Sequence, residues 1–264
     1  MREGFTDSPC SFLYHKELGK GMPLVMLHGN GEDHRIFDRM AAYMSSYYQV
    51  ILMDSRGHGA SELKAGKERM ALTTREMAED VIRVLDDLNV PKAAILGFSD
   101  GANIALEAAL GYPDRVLAVA AVSGNALPWG VSWRFFWEVQ AKYLGLCLSE
   151  MLPMSREKKA KIVKERQLNG LMALWPRLGK KELRKIKAPV LLLTGRYDMI
   201  RPRHSLWMAG QIPGAEIVFV KRADHFTLLK RERAYGAYIR GWLDKAASPF
   251  ISSSLPERPP YPLP

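Results

Sequence analysis

Cysteine is nearly missing: Cys10 and Cys147 are the only two in 264 residues, so one bridge at most could form and a disulfide scaffold is excluded. Such sparing use of thiols fits a reducing cytoplasm. Long apolar runs are missing too. The longest aliphatic stretch, Val116 to Val122, is seven residues, against the roughly 20 that a membrane-spanning helix needs. No apolar stretch of signal-peptide length precedes Lys16 and Glu17, so no cleaved secretion signal is expected. The chain shows no long repeat, which argues against a solenoid or a multidomain array. Low complexity is confined to Ser248–Pro264, which holds six of the 16 prolines and three consecutive serines and reads as a disordered or polyproline-like tail.

What is present is the composition of an ordinary globular protein, 47% hydrophobic and 25% charged. The length suits one compact core with an insertion. The net charge of +10 is concentrated. Between Ala126 and Lys187 lie 14 basic and five acidic residues, a net of +9. The cations of Arg156 to Arg166 are spaced around a helix and do not line one side of it. No nucleic-acid recognition motif or single basic groove accompanies them, so nucleic acid is not an expected partner. The segment is either a solvated surface or an attraction for anionic substrates or membrane headgroups, so peripheral contact with an anionic membrane stays open.

Short apolar runs alternate with helical patterns. Strands are expected near Ser11–Glu17 and at Pro23–Leu27, Val50–Met53, Ala93–Leu96, Val116–Val122, Pro189–Leu193 and Ile217–Val220. Helices are expected at Asp33–Met44, Thr74–Leu88 and Asn103–Leu110. The second is the firmest, because Thr73 and Glu76 form a capping box ahead of Met77, Val81, Leu85 and Leu88 on one face. The pattern is that of an α/β protein whose mostly parallel sheet is covered by helices on both faces. Ligand sites in such sheets lie beyond the carboxyl ends of the strands. Residues 126–187 interrupt the alternation as a helical lid, between core segments 1–125 and 188–247. Within the lid, Trp129, Trp133 and Trp137 recur every four residues, as the buried face of a helix or the lining of a substrate pocket would.

The chemistry-bearing residues follow strands. Ala93–Leu96 runs into Gly97-Phe98-Ser99-Asp100-Gly101, a Gly-x-Ser-x-Gly pattern in a strand–turn–helix context. Such a turn lifts the Ser99 hydroxyl above the sheet edge, and the following helix aims its free N–H groups at an oxyanion developing there. A serine hydroxyl needs a base, and the base an orienting acid. Asp198 follows the strand at Pro189–Leu193, and His225 follows the one at Ile217–Val220. The chain order is Ser, Asp, His.

These motifs resemble those of serine hydrolases of the α/β-hydrolase fold, over about Ser11 to Lys245. The resemblance implies Ser99 as nucleophile, His225 as general base and then acid, and Asp198 as the orienting carboxylate. The implied oxyanion hole consists of two backbone N–H groups, from Asp100 and from Asn30 in His28-Gly29-Asn30-Gly31. Neither a metal nor an organic cofactor is implied. A serine at position 99 speaks against dehalogenases and epoxide hydrolases, which carry Asp there, and dienelactone hydrolases, which carry Cys. Asn30-Gly31 departs from the His-Gly-Gly-Gly of many lipases and from the aromatic-Pro pair of perhydrolases. Asp54-Ser55-Arg56-Gly57-His58-Gly59 resembles a structural turn of the fold, which makes Arg56 and His58 fold-supporting. Asp100 either complements its helix N-terminus or faces the pocket to select a cationic group, as in biphenyl-hydrolase-like aminoacyl ester hydrolases. The expected activity is cleavage of small to medium carboxylic esters through an acyl-serine intermediate. The same triad could serve thioester cleavage, carbon–carbon hydrolysis, acyl transfer or perhydrolysis, and a non-catalytic binding protein is the remote alternative.

Overall fold

The computed structural model describes residues 2–248. Apart from Ser248, the Pro-rich tail expected above lies outside the described residues. Eight strands, β1 (Arg2–Asp7), β2 (Phe12–Leu18), β3 (Met22–Leu27), β4 (Tyr48–Met53), β5 (Ala93–Phe98), β6 (Val116–Val122), β7 (Val190–Gly195) and β8 (Glu216–Val220), form one sheet in the order β1-β2-β4-β3-β5-β6-β7-β8. Only β2 runs against the rest. The mostly parallel sheet expected from the sequence is therefore present. β1 was not expected, because its polar Arg-Glu-Gly-Phe-Thr-Asp run buries one residue, Thr6, and leaves Phe5 exposed.

Side-chain alternation sorts the strands between two apolar layers. Val25 and Leu27 of β3 and Ile51 and Met53 of β4 join helices α2 (Thr74–Asp87) and α3 (Asp100–Gly111) on one face. Leu24, Met26, Val50 and Leu52 join α1 (Asp38–Met44) and α9 (Glu232–Ala246) on the other. β6 changes phase along its length: Val116 and Val119 share a layer while Ala118 faces the opposite one. The cause is a register slip against β5, where Ala93 pairs with Val116 but Ile95 with Val119. The expected capping box starts α2, with the Thr73 hydroxyl accepting from the Glu76 N–H at 3.1 Å.

Between β6 and β7 come α4 (Trp133–Glu150), α5 (Arg156–Leu174) and α6 (Lys180–Leu183), with Ser132 and Ser155 capping the two long helices. α4 and α5 lie side by side, held by Gln140 donating to the Ala173 carbonyl and by Arg166 pairing with Glu150 at 2.6 Å. The end of the 126–187 segment differs in kind. Leu178, Leu183 and Ile186 are fully buried in the same layer as α2 and α3. α7 (Pro202–Gln211) connects β7 to β8, and the short α8 (Thr227–Lys230) precedes α9. No helix among the described residues is long and apolar enough to cross a membrane.

Candidate active site

Strands β3, β5, β6, β7 and β8 are parallel neighbours, so the loops that follow them emerge at one sheet edge. Ser99 follows β5 directly, with its N–H still bonded to the Val122 carbonyl of β6. Its backbone takes φ 54° and ψ −118°, a strained conformation for a residue with a Cβ. The strain persists because the turn is packed on every side. A Cβ at Gly97 would run into the Gly101 carbonyl, and one at Gly101 into the Leu27 carbonyl. These two glycines are required for close backbone approach.

The structure brings Ser99, His225 and Asp198 together. His225 Nε2 lies 3.1 Å from the Ser99 hydroxyl, and Nδ1 lies 2.7 Å from Asp198 Oδ1. This geometry lets the ring accept the serine proton at Nε2 while holding its own Nδ1 proton on the carboxylate. Asp198 is fixed further by the Ser123 hydroxyl, which donates to Oδ2 at 2.6 Å, and by the Ile200 N–H at 3.1 Å. Burial alone would push this carboxyl up. The bonds and charge from His225, with Ser123 and Ile200, outweigh burial and hold it below the ordinary carboxylate range. Sequence reasoning missed Ser123. Its one signal was its place directly after β6, at the edge where the other site residues emerge.

The loop after β3 lies against Ser99: a Cβ on Gly29 would sit 3.2 Å from the Ser99 Cβ. His28 braces that loop, its Nδ1 against the Gly29 carbonyl at 2.7 Å and its Nε2 accepting from the Ser55 N–H at 3.0 Å. The Asn30 side-chain amide donates to Asp100 Oδ2 at 2.9 Å and to the Leu168 carbonyl at 2.9 Å. The backbone N–H groups of Asn30 and Asp100 have no protein acceptor among the described residues.

Asp100 is buried, and both its oxygens are engaged, Oδ2 by Asn30 and Oδ1 by Asn103 at 3.0 Å. Burial pushes its carboxyl up, against the pull of those two amides. Asn103 continues the network to Asn125, whose N–H it accepts at 2.8 Å. Asp100 therefore ties the turn that carries Ser99 to the loop after β3.

The pocket above Ser99 is small, enclosing about 40 Å³, and its apolar wall comes from Phe135, Phe136, Val139, Met172 and Trp175. The tryptophan stripe is not in it. Trp129 belongs to a separate 3-10 turn (Pro128–Gly130), Trp133 and Trp137 to α4, and all three are about half exposed or more. The expectation that they are buried or line the pocket is corrected: a four-residue period places residues on one face without saying which, and α4 turns Phe135, Phe136 and Val139 inward instead. Neither Arg56 nor His58 bonds to Ser99, Asp198 or His225 among the described residues. Arg56 makes a buried bidentate pair with Asp80 at 2.5 and 2.8 Å, while the buried His58 ring puts Nδ1 3.1 Å from the Arg56 carbonyl.

No group of His, Cys, Asp and Glu side chains among the described residues is arranged to hold a metal ion. The model of the alpha/beta hydrolase fold matches residues 22–152. A proposed carbamate hydrolase, RutD, of Azorhizobium caulinodans is 28% identical over 237 residues, covering 81% of this chain and 88% of its own. A pimeloyl-[acyl-carrier protein] methyl ester esterase of Nitrosomonas europaea is 26% identical over 239 residues, covering 80% and 91%. The solved carboxylesterase CesB of Bacillus subtilis superposes with a TM-score of 0.73 over 92% of this chain and 91% of its own, at 20% identity, a likeness of fold. The strand order and these matches agree: the chain is an enzyme of the α/β-hydrolase fold, esterase-like in kind.

Proposed function

We propose that the chain cleaves carboxylic esters of small to medium size through an acyl-serine intermediate. The observation that carries this reading is the single imidazole of His225 within hydrogen-bonding reach of both the Ser99 hydroxyl and the Asp198 carboxylate. Ser99 Oγ attacks the ester carbonyl carbon as its proton passes to His225 Nε2. The tetrahedral oxyanion is received by the N–H groups of Asn30 and Asp100, an arrangement in which one donor is typically worth about a hundred- to a thousandfold in rate. Collapse expels the alcohol, which leaves with the proton from His225. Water, deprotonated by the same imidazole, then releases the acid and restores Ser99. Asp198 keeps the ring in the required tautomer and stabilises the imidazolium that forms in each half.

Residues 126–187 are read as the lid over this site, with the core in 1–125 and 188–247. Support comes from Phe135, Phe136 and Val139 of α4, which wall the pocket above Ser99. Leu178, Leu183 and Ile186 are buried in the main core, so the part of the segment read as lid is α4 and α5. The relatives named for a methyl ester and for a carbamate support hydrolysis at an ester-like carbonyl. The test is hydrolysis of p-nitrophenyl esters from acetate to decanoate. The small pocket predicts a preference for short acyl chains. A protein that is folded but inactive on the whole series would overturn the esterase reading.

A further inference from the structure

The outer face of α4 carries apolar side chains with no part in the pocket. Trp133, Trp137, Leu144, Leu148 and Met151 are each more than half exposed, between 56% and 81%. At about 100° per residue they fall within roughly 60° of one another, and the line from Trp133 to Met151 is roughly 27 Å long. Monomeric surfaces rarely keep so long a continuous apolar ridge exposed unless something docks on it.

We propose that this ridge docks on an anionic lipid surface. Charge points to that occupant. The 126–187 segment holds nearly all of the chain's excess positive charge. Within α5, which packs beside α4, Lys158 is exposed and has no carboxylate within ion-pair distance among the described residues, while Arg156, also exposed, lies near Glu68 and helps to hold that carboxyl below its ordinary range. At the start of the ridge the Arg201 guanidinium sits 4.5 Å from the Trp133 ring centre. Tryptophan beside arginine or lysine on an exposed helix is suited to the headgroup boundary, where the ring enters the acyl region and the cation stays with phosphate. Because the opposite side of α4 walls the Ser99 pocket, docking would hold the pocket next to the lipid phase, where apolar esters concentrate.

The full chain would be sedimented with vesicles of phosphatidylcholine alone and of phosphatidylcholine with phosphatidylglycerol. The expected result is association with the anionic vesicles at least about tenfold stronger than with the neutral ones, weakening between about 0.05 and 0.5 M salt. Tryptophan emission should shift to the blue on binding. Leu144→Ser/Leu148→Ser should weaken association at least about tenfold while leaving hydrolysis of a water-soluble ester and the melting temperature unchanged. Arg156→Gln/Lys158→Gln should reduce the preference for anionic vesicles. No association of the folded wild type with anionic vesicles would overturn the proposal, as would association indifferent to the leucine substitutions. So would a ridge that instead mediates self-association or captures an acidic protein while vesicles stay unbound.

Discussion

Ser123 donates its hydroxyl to Asp198 at 2.6 Å on the carboxylate oxygen that His225 leaves free. The acid is thereby held from two sides, and the imidazole plane is set by a group that itself cannot rotate. Hydrogen bonds to a charged acceptor contribute about 1.5 to 3 kcal/mol. Ser123→Ala should accordingly lower kcat roughly tenfold to a hundredfold with little change in KM, because it loosens the orientation of the base and removes nothing that touches substrate. An unchanged kcat with a lowered melting temperature would reduce Ser123 to a structural role.

Gly101 should not tolerate a side chain. A Cβ there would overlap the carbonyls of Leu27 and His28, both backbone atoms that cannot swing aside. Gly101→Ala should cost about 2 kcal/mol or more, a fall of several degrees in melting temperature for a chain of this size. A variant as stable as the wild type would mean that the strand–helix turn is looser than described.

His204 makes a pH-dependent contribution whose sign can be worked out. Burial, aided by the positive charge of Arg201, pushes its pKa down to about 4, and its Nε2 accepts from the Ala126 N–H at 3.0 Å. The unfolded chain binds the proton below about 6.5, while the folded chain resists until about 4. The stability from neutral His204 is therefore complete above about pH 6.5. It is lost as the pH falls toward 4, by up to about 1.4 kcal/mol per pH unit. The carboxyls of Asp100 and Glu107, pushed up by burial, act in the opposite sense, so the readout is a difference. His204→Gln keeps an acceptor for Ala126 without the titration. Its stability by urea denaturation should rise relative to wild type between pH 6.5 and 4.5, and parallel curves would contradict the assignment.

Much of this molecule was legible in its sequence, for reasons that particular elements show. The parallel strands are continuous apolar runs because both faces of the sheet are covered, as at Leu24–Leu27 and Val190–Leu193. Residues directly after such strands must emerge together, which is why Ser99, Asp198 and His225 could be picked out before any distance was known. Edge strand β1 escaped because one covered face leaves little apolar signal in six residues. Ser123 escaped because a lone hydroxyl after a strand has many neutral explanations. The tryptophans misled for a geometric reason: their period is the same whether a helix turns them inward or, as here, outward.

The central claim is that Ser99 is the nucleophile, and the most direct measurement is the steady-state hydrolysis of p-nitrophenyl butyrate by wild type and Ser99→Ala, with circular dichroism to show that both are folded. The account predicts a fall in kcat/KM of about a thousandfold or more in the variant, with its fold intact. A folded Ser99→Ala protein that turns over at the wild-type rate would contradict it.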